Sequence, residues 1–382
     1  MAPKGILLAL LALPFARGDA SDYLVNAGCN GDQLFSWFNP DTGVFPTADG
    51  EVAWWTGANM LTAINNLALL DDGAKERYSS IWEATYYNAP GSNPHFKRRK
   101  RADGSLDKRD QGEGFFNSLY DDEAWWGLAW VGAYDNTGIQ EYLDVAITLW
   151  NDLDAAYGKP NCGAVPWTKD EGAPALAIEN ELYIQLGAAL ANRASPDNST
   201  YLDGALKGWD WFQNSGLINS DNLINDGLNP DTCENDGDPV FSYNQGVILG
   251  GLAELYIATG NTSYLDSAAA IADAVTGDGS PLLNEDGILV DECDISGDCS
   301  GDGVQFKGVF LRNLQKLYSV RQSDQWKDFI ETNAQSIWEN DLELVETGCA
   351  NGVYWAGPYS EADASAQSSA LDCLVAAVAV TG

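Results

Sequence analysis

Apolar residues recur every three to four positions along most of the chain, the spacing of a buried helix face and not the alternation of a strand. The pattern predicts helices over Asp22–Phe38, Trp55–Leu70, Lys75–Tyr87, Asp122–Tyr134, Gln140–Tyr157 and Ala177–Asn192. It continues through Tyr201–Asn214, Tyr243–Thr259, Tyr264–Val275, Phe306–Val320, Gln325–Leu342 and Asp363–Val378. Alternating β-branched runs are almost absent, so no large sheet is expected. The connections alternate in character. Tyr134–Gly138 and Thr259–Thr262 are tight, whereas Asn161–Asp170 and Leu223–Asp238 are longer, aromatic and acidic. A change of connection every two helices predicts six helical hairpins. The hairpins are too dissimilar for a solenoid array, so an all-α fold follows: a closed (α/α)6 toroid with its long loops gathered at one rim. No linker divides the chain, and residues 19–382 read as one domain.

Composition narrows the function. With 56 acidic against 20 basic residues the formal net charge is −36, which argues against nucleic acid or an anionic membrane surface as partner. The single histidine, His95, removes multi-histidine metal sites and leaves carboxylates to carry any chemistry. The first 18 residues read as a secretory leader: Lys4, an apolar run from Ile6 to Phe15, then Ala16-Arg17-Gly18. Seven cysteines without a CxxC pair agree with export; Cys293 and Cys299 are expected to close a small loop, and the odd count leaves a thiol unpaired. Asn198-Ser-Thr and Asn261-Thr-Ser are glycosylation sequons. The apolar C-terminal stretch reads as a buried helix and not as an anchor signal, so a soluble, extracellular monomer is expected. Lys97–Arg101 with Lys108-Arg109, inside a Gly- and Pro-containing stretch near 91–110, reads as a solvated basic insertion.

Chemistry concentrates at Tyr120-Asp-Asp-Glu-Ala-Trp-Trp-Gly-Leu-Ala129. An acidic first turn is ordinary, since Asp121 could cap the helix and Asp122 and Glu123 would favour its positive end. Two features point further. Trp125 and Trp126 offer flat faces on which sugar rings stack, and adjacent aspartates at a loop-to-helix junction can converge on one bond, near the ~5 Å carboxyl spacing of a retaining glycosidase. Repulsion would raise the pKa of one partner, giving an acid beside a nucleophile.

These residues resemble glycoside hydrolase family 76, the endo-α-1,6-mannanases of bacteria and fungi, which share a six-hairpin (α/α)6 toroid. The resemblance runs in order through Ala53-Trp-Trp-Thr-Gly-Ala-Asn59, Tyr120–Gly127, Ala177-Ile-Glu-Asn-Glu-Leu182, Asn225-Asp-Gly-Leu228, Tyr243-Asn-Gln-Gly246, Phe306-Lys-Gly308 and Gln367-Ser-Ser-Ala370. The double aspartate and Tyr-Asn-Gln-Gly are its most specific parts. It implies Asp121 as nucleophile and Asp122 as general acid/base. The basic insertion departs from the family pattern but leaves the carboxylates intact.

Further candidates each have a plain structural alternative. Trp54 and Trp55 could line the cleft or fill the core. Tyr243 and Asn244 could recognise vicinal hydroxyls or begin a helix, and Asp226 could bind sugar or serve a turn. Phe306, Lys307 and Trp355 are rim candidates. Asp291, Asp294, Asp298 and Asp302 lack the ligand spacing of a calcium loop and read as a solvated acidic loop, so neither metal nor cofactor is expected. The expected function is a secreted retaining glycosidase acting on internal α-1,6-mannosidic bonds, most active on the acid side. Alternatives are a cell-wall transglycosidase acting on mannose-containing lipid-anchor glycans and a non-catalytic glycan-binding toroid.

Overall fold

The computed structural model describes residues 18–46, 54–93 and 110–382, apart from Asp197, Asp236, Asp238, Asp298 and Ser300. The leader up to residue 17, Ala53, His95 and the basic Lys97–Arg109 segment lie outside the described residues.

The helices in chain order are α1 (Ala20–Ser36), α2 (Trp54–Leu70), α3 (Asp72–Tyr78), α4 (Ser80–Ser92), α5 (Asp110–Glu113), α6 (Tyr120–Thr137), α7 (Gln140–Ala156) and α8 (Ala177–Ala191). They continue with α9 (Asn198–Asn214), α10 (Ser242–Thr259), α11 (Ser263–Thr276), α12 (Glu292–Ser296), α13 (Phe306–Val320), α14 (Asp324–Asn340) and α15 (Ala364–Thr381). Each of the twelve predicted segments is found helical. The run predicted over Lys75–Tyr87 is in fact two helices. Asp71 caps α3 through the amides of Gly73 and Ala74, and the Ser79 hydroxyl bonds back to the Glu76 carbonyl, which ends that helix before α4 begins. Periodicity also missed the hairpin of β1 (Glu343–Val345) and β2 (Gly348–Ala350), which is too short to carry a period.

Helices α2, α6, α8, α10, α13 and α15 form the inner ring. Each packs on the next, and α15 closes the circle on α2. The outer layer is α1, α3 with α4, α7, α9, α11 and α14. The layers differ as their sequences require. Every residue of α8 from Ala177 to Ala191 is buried, whereas outer α9 buries only the stripe Tyr201, Gly204, Ala205, Gly208, Trp209 and Phe212. Inner helices meet closely: a Cβ on Gly246 would lie 2.5 Å from the Phe310 Cα, and one on Gly308 would lie 2.6 Å from the Ser369 Cα. Helix α15 is long and apolar enough to cross a membrane, yet most of it is buried within this ring.

Connections from an inner to an outer helix are short, and those from an outer to an inner helix are long. The N-terminal ends of the inner helices, where helix dipoles favour negative groups, therefore share the rim that carries the elaborate loops. Three disulfides brace it. Cys29–Cys349 ties α1 to β2, Cys162–Cys233 joins two rim loops, and Cys293–Cys299 closes the loop expected from sequence; Cys373 is a buried free thiol. At the opposite ends of the inner helices, Glu254 receives Lys316, Arg193 and Asn192. These partners outweigh its burial and hold its carboxyl down at about 2.

Candidate active site

Asp121 and Asp122 occupy the first turn of α6, but neither caps it. The cap position is Leu119, whose amide donates to the Asn117 Oδ1 at 2.8 Å. Asn117 also donates its backbone N–H to Glu123 (2.8 Å) and its side-chain amide to Asp122. No side chain caps the helix; Asn117 and Glu123 fix the chain entering it, and the first-turn amide of Asp122 donates to Asp121 Oδ1 at 3.0 Å. Behind them Lys169 bridges Glu123 (2.6 Å) and Asp152 (2.7 Å). The strip Trp167–Lys169 pairs with Ser118–Tyr120 through Tyr120 N–H to the Trp167 carbonyl and Lys169 N–H to the Ser118 carbonyl, both at 3.0 Å. That pairing brings the Trp167 indole to Asp121, where Nε1 donates to Oδ2 at 3.2 Å.

The two carboxyls thereby differ. Burial pushes Asp121 up to about 6, against hydrogen bonds from the Asp122 amide and Trp167 that favour its charge. Asp122 is driven well above the usual carboxylate range, by burial first and then by the neighbouring Asp121. One partner is set to be ionised while the other keeps its proton.

Asp226, Tyr243, Asn244 and Phe306 make a second wall. Asp226 Oδ1 accepts from Asn244 Nδ2 at 2.9 Å and from the Tyr243 hydroxyl at 3.3 Å. The Tyr243 ring stacks on Phe306 with centroids 3.9 Å apart and planes 7° from parallel. Buried amides hold the loops in place. Gln245 brackets the Ile224 backbone with bonds of 2.7 and 2.9 Å, the Asp226 carbonyl accepts from Ala177 N–H, and Asn180 holds Val165, two residues before Trp167. The Tyr243 hydroxyl is raised by burial and then by the nearby carboxyl groups of Asp226, Asp121, Glu181 and Glu179, so the starts of α6, α8 and α10 meet electrostatically at one centre. A third side comes from Trp55, whose Nε1 donates to Asp302 Oδ1 at 2.9 Å; the charge of Asp302 raises both Asp121 and Asp122.

Several sequence expectations need correction. Trp54 and Trp126 are core residues, packed with each other and with Phe115 at centroid distances of 4.9 to 5.9 Å. Trp125 is also buried, between Trp55 and the Arg312 guanidinium. Lys307 is not a rim contact: its ammonium is buried over the Trp355 ring, 2.7 Å from both Asp294 oxygens, and Trp355 is buried with it. Asp291 and Asp294 of the acidic loop are accordingly not solvated, whereas Asp302 is exposed and Asp298 lies outside the described residues. Asp294 belongs to Lys307, and Asp291 is buried, accepting from the Ser242 amide (2.8 Å) and hydroxyl at the start of α10. The sulfurs of Cys293 and Cys299 lie beside Asp294 but are joined to each other, so this trio is not a free donor set. Trp55, Asp226, Tyr243, Asn244 and Phe306 are brought around the pair or its opposite wall. Sequence reasoning missed Trp167 and Asn117, which sit in loops without periodicity; it read Asp302, in a short 3-10 turn, only as part of the acidic loop, and Glu179 and Glu181 only as part of the Ala177–Leu182 motif, without a role.

Residues 31–381 match the profile described as Glycosyl hydrolase family 76. The chain belongs to glycoside hydrolase family 76. Among curated relatives, the mannan endo-1,6-alpha-mannosidase DFG5 of Saccharomyces cerevisiae is 26% identical over 232 residues, 56% of this chain and 50% of that protein. DFG5 of Candida albicans is 26% identical over 279 residues, 68% of this chain and 60% of that protein. The chain thus spans about half the length of the curated relatives it matches. The GH76A α-1,6-mannanase of Salegentibacter sp. HEL1_6 superposes with a TM-score of 0.77 at 22% identity, covering 94% of this chain and 100% of that one. An inactive variant of that mannanase, with two consecutive aspartates replaced, was solved with α-1,6-mannotriose and superposes at 0.76 and 21% identity over 94% of this chain and 100% of that one. Dfg5 of Chaetomium thermophilum, in complex with glucosamine, gives 0.77 at 20% identity over 97% and 92%. The family 76 fold is the (α/α)6 toroid expected from the helical pattern.

Proposed function

We propose that this family 76 protein is a secreted retaining glycosidase that cleaves internal α-1,6-mannosidic bonds. The carrying observation is the Asp121–Asp122 pair, adjacent in sequence, separately hydrogen-bonded and set to hold one proton between them. Asp122 protonates the leaving glycosidic oxygen while Asp121 attacks the anomeric carbon and forms a mannosyl ester. Asp122, now ionised, then takes a proton from water as that water attacks the anomeric carbon, breaking its bond to the Asp121 carboxyl and freeing Asp121 as carboxylate. The exposed Trp167, half-buried Trp55 and the Tyr243–Phe306 stack supply apolar faces for sugar rings, and Asp226 and Asn244 supply partners for hydroxyls. The mannosidase names of the relatives and the mannotriose complex of the Salegentibacter enzyme support mannan as substrate. Three disulfides and the leader-like first 18 residues support export of the remainder as one domain.

The test uses Asp121→Ala and Asp122→Ala. Both should fold and lose activity on α-1,6-mannan by several orders of magnitude, about 10⁴-fold or more. On an aryl mannoside whose leaving group needs no protonation, the Asp122 variant with azide should yield a mannosyl azide of retained configuration, and the Asp121 variant should not. Two fully active variants would remove the enzyme reading from this site. Adding a glucan acceptor to the wild-type digest tells transfer from hydrolysis.

A further inference from the structure

Glu181 lies on α8 two residues beyond Glu179. It is fully buried, and neither of its carboxyl oxygens meets a hydrogen-bond donor among the described residues. An ionised carboxylate without a partner is not sustained in such a place, so the group keeps its proton. Burial, then the charges of Asp226 and Glu179, hold its titration well above the ordinary range. The charged and titratable groups around it are Glu179 on α8, Asp226 in the connection before α10, Tyr243 on α10 and Asp121 on α6, whose charge reaches Glu179 and Tyr243. On α7 and α9, Asp154 and Lys207 are engaged with each other and with Tyr183. Acceptors are in excess beneath the cleft wall, where Glu179 Oε2 and Asn244 Oδ1 are also buried and meet no donor among the described residues.

We propose that Glu181 acts as a neutral positioning residue, a carboxylic acid whose O–H supplies the donor this floor lacks and leaves the negative charge of the Asp226–Tyr243–Asn244 wall on Asp226. Loss of that proton at alkaline pH sets two carboxylates against each other under the wall. Substrate binding then weakens, while the chemistry at Asp121 and Asp122 is less affected. The effect on substrate rests on the glycosidase reading above; the proton itself does not.

Glu181→Gln keeps a donor and an acceptor in the same shape, and Glu181→Ala removes both. In infrared difference spectra at neutral pH, the carbonyl stretch of one protonated carboxyl should be present in the wild type and missing in E181Q. The unfolded chain releases the Glu181 proton near the ordinary glutamate value, whereas the folded chain retains it, so rising pH favours unfolding. The melting temperature of the wild type should therefore fall with pH more steeply than that of E181Q. On α-1,6-mannan, E181Q should keep KM within about twofold and lose the alkaline rise in KM, while E181A should raise KM about tenfold with a smaller change in kcat. A protonated-carboxyl band unchanged in E181Q overturns the proposal, as does an E181Q enzyme with the KM of E181A. If the band and the melting curves behave as expected while the wild type leaves mannan intact, the glycosidase reading has failed and the neutral Glu181 stands.

Discussion

Replacing Trp167 by Phe keeps an aromatic ring at the cleft rim and removes one hydrogen bond, that from Nε1 to Asp121 Oδ2. The donor favours the ionised carboxylate, so its loss must raise the pKa of Asp121 above about 6. A hydrogen bond to a charged group contributes about 1.5–3 kcal/mol. At 3.2 Å, and with Trp167 38% exposed so that water replaces part of the bond, roughly 1 kcal/mol is the appropriate figure. At 1.36 kcal/mol per unit this moves the titration upward by about 0.7 of a pH unit. The assay is kcat/KM on α-1,6-mannan against pH, because its acid limb reports the free enzyme's nucleophile. That limb should lie near pH 6 in the wild type and move to higher pH in W167F, with the alkaline limb set by Asp122 in place. An acid limb that stays or moves down would refute the argument. Movement of the alkaline limb alone would show that Trp167 acts on Asp122 instead.

Lys307→Met should destabilise by about 3–5 kcal/mol in urea titration, because it strands the buried Asp294 carboxylate; a loss confined to KM with unchanged stability would restore Lys307 as a substrate contact. Replacing Cys29 and Cys349 together by Ser should cost about 3–5 kcal/mol, since the bridge spans 320 residues, with a matching fall in melting temperature. Stability unchanged by the double substitution would show that the chain ends are held by helix packing alone. Asp302→Asn should lower the alkaline limb of kcat/KM, as it removes a negative charge that raises Asp122; a limb displaced upward would contradict that field.

The helices and their order were legible in the chain because burying an apolar stripe needs only local periodicity, and hairpin logic then follows from connection length. The adjacency of Asp121 and Asp122 at a helix start, before two tryptophans, was legible as well, and the reacting role proposed for the pair rests on it. What tryptophans do could not be read. Trp54 and Trp55 are neighbours on one helix, yet one fills the core against Trp126 and the other donates to Asp302, because only the position of the adjoining inner helix decides which face is covered. The same holds for charge. Lys307 and Asp294 look like surface residues until ring closure buries them against each other, and Trp167 reaches Asp121 only through the pairing of two loops 46 residues apart. Local pattern set the elements and the adjacency of the two aspartates; closure of the ring decided which polar groups face the cleft and which are buried.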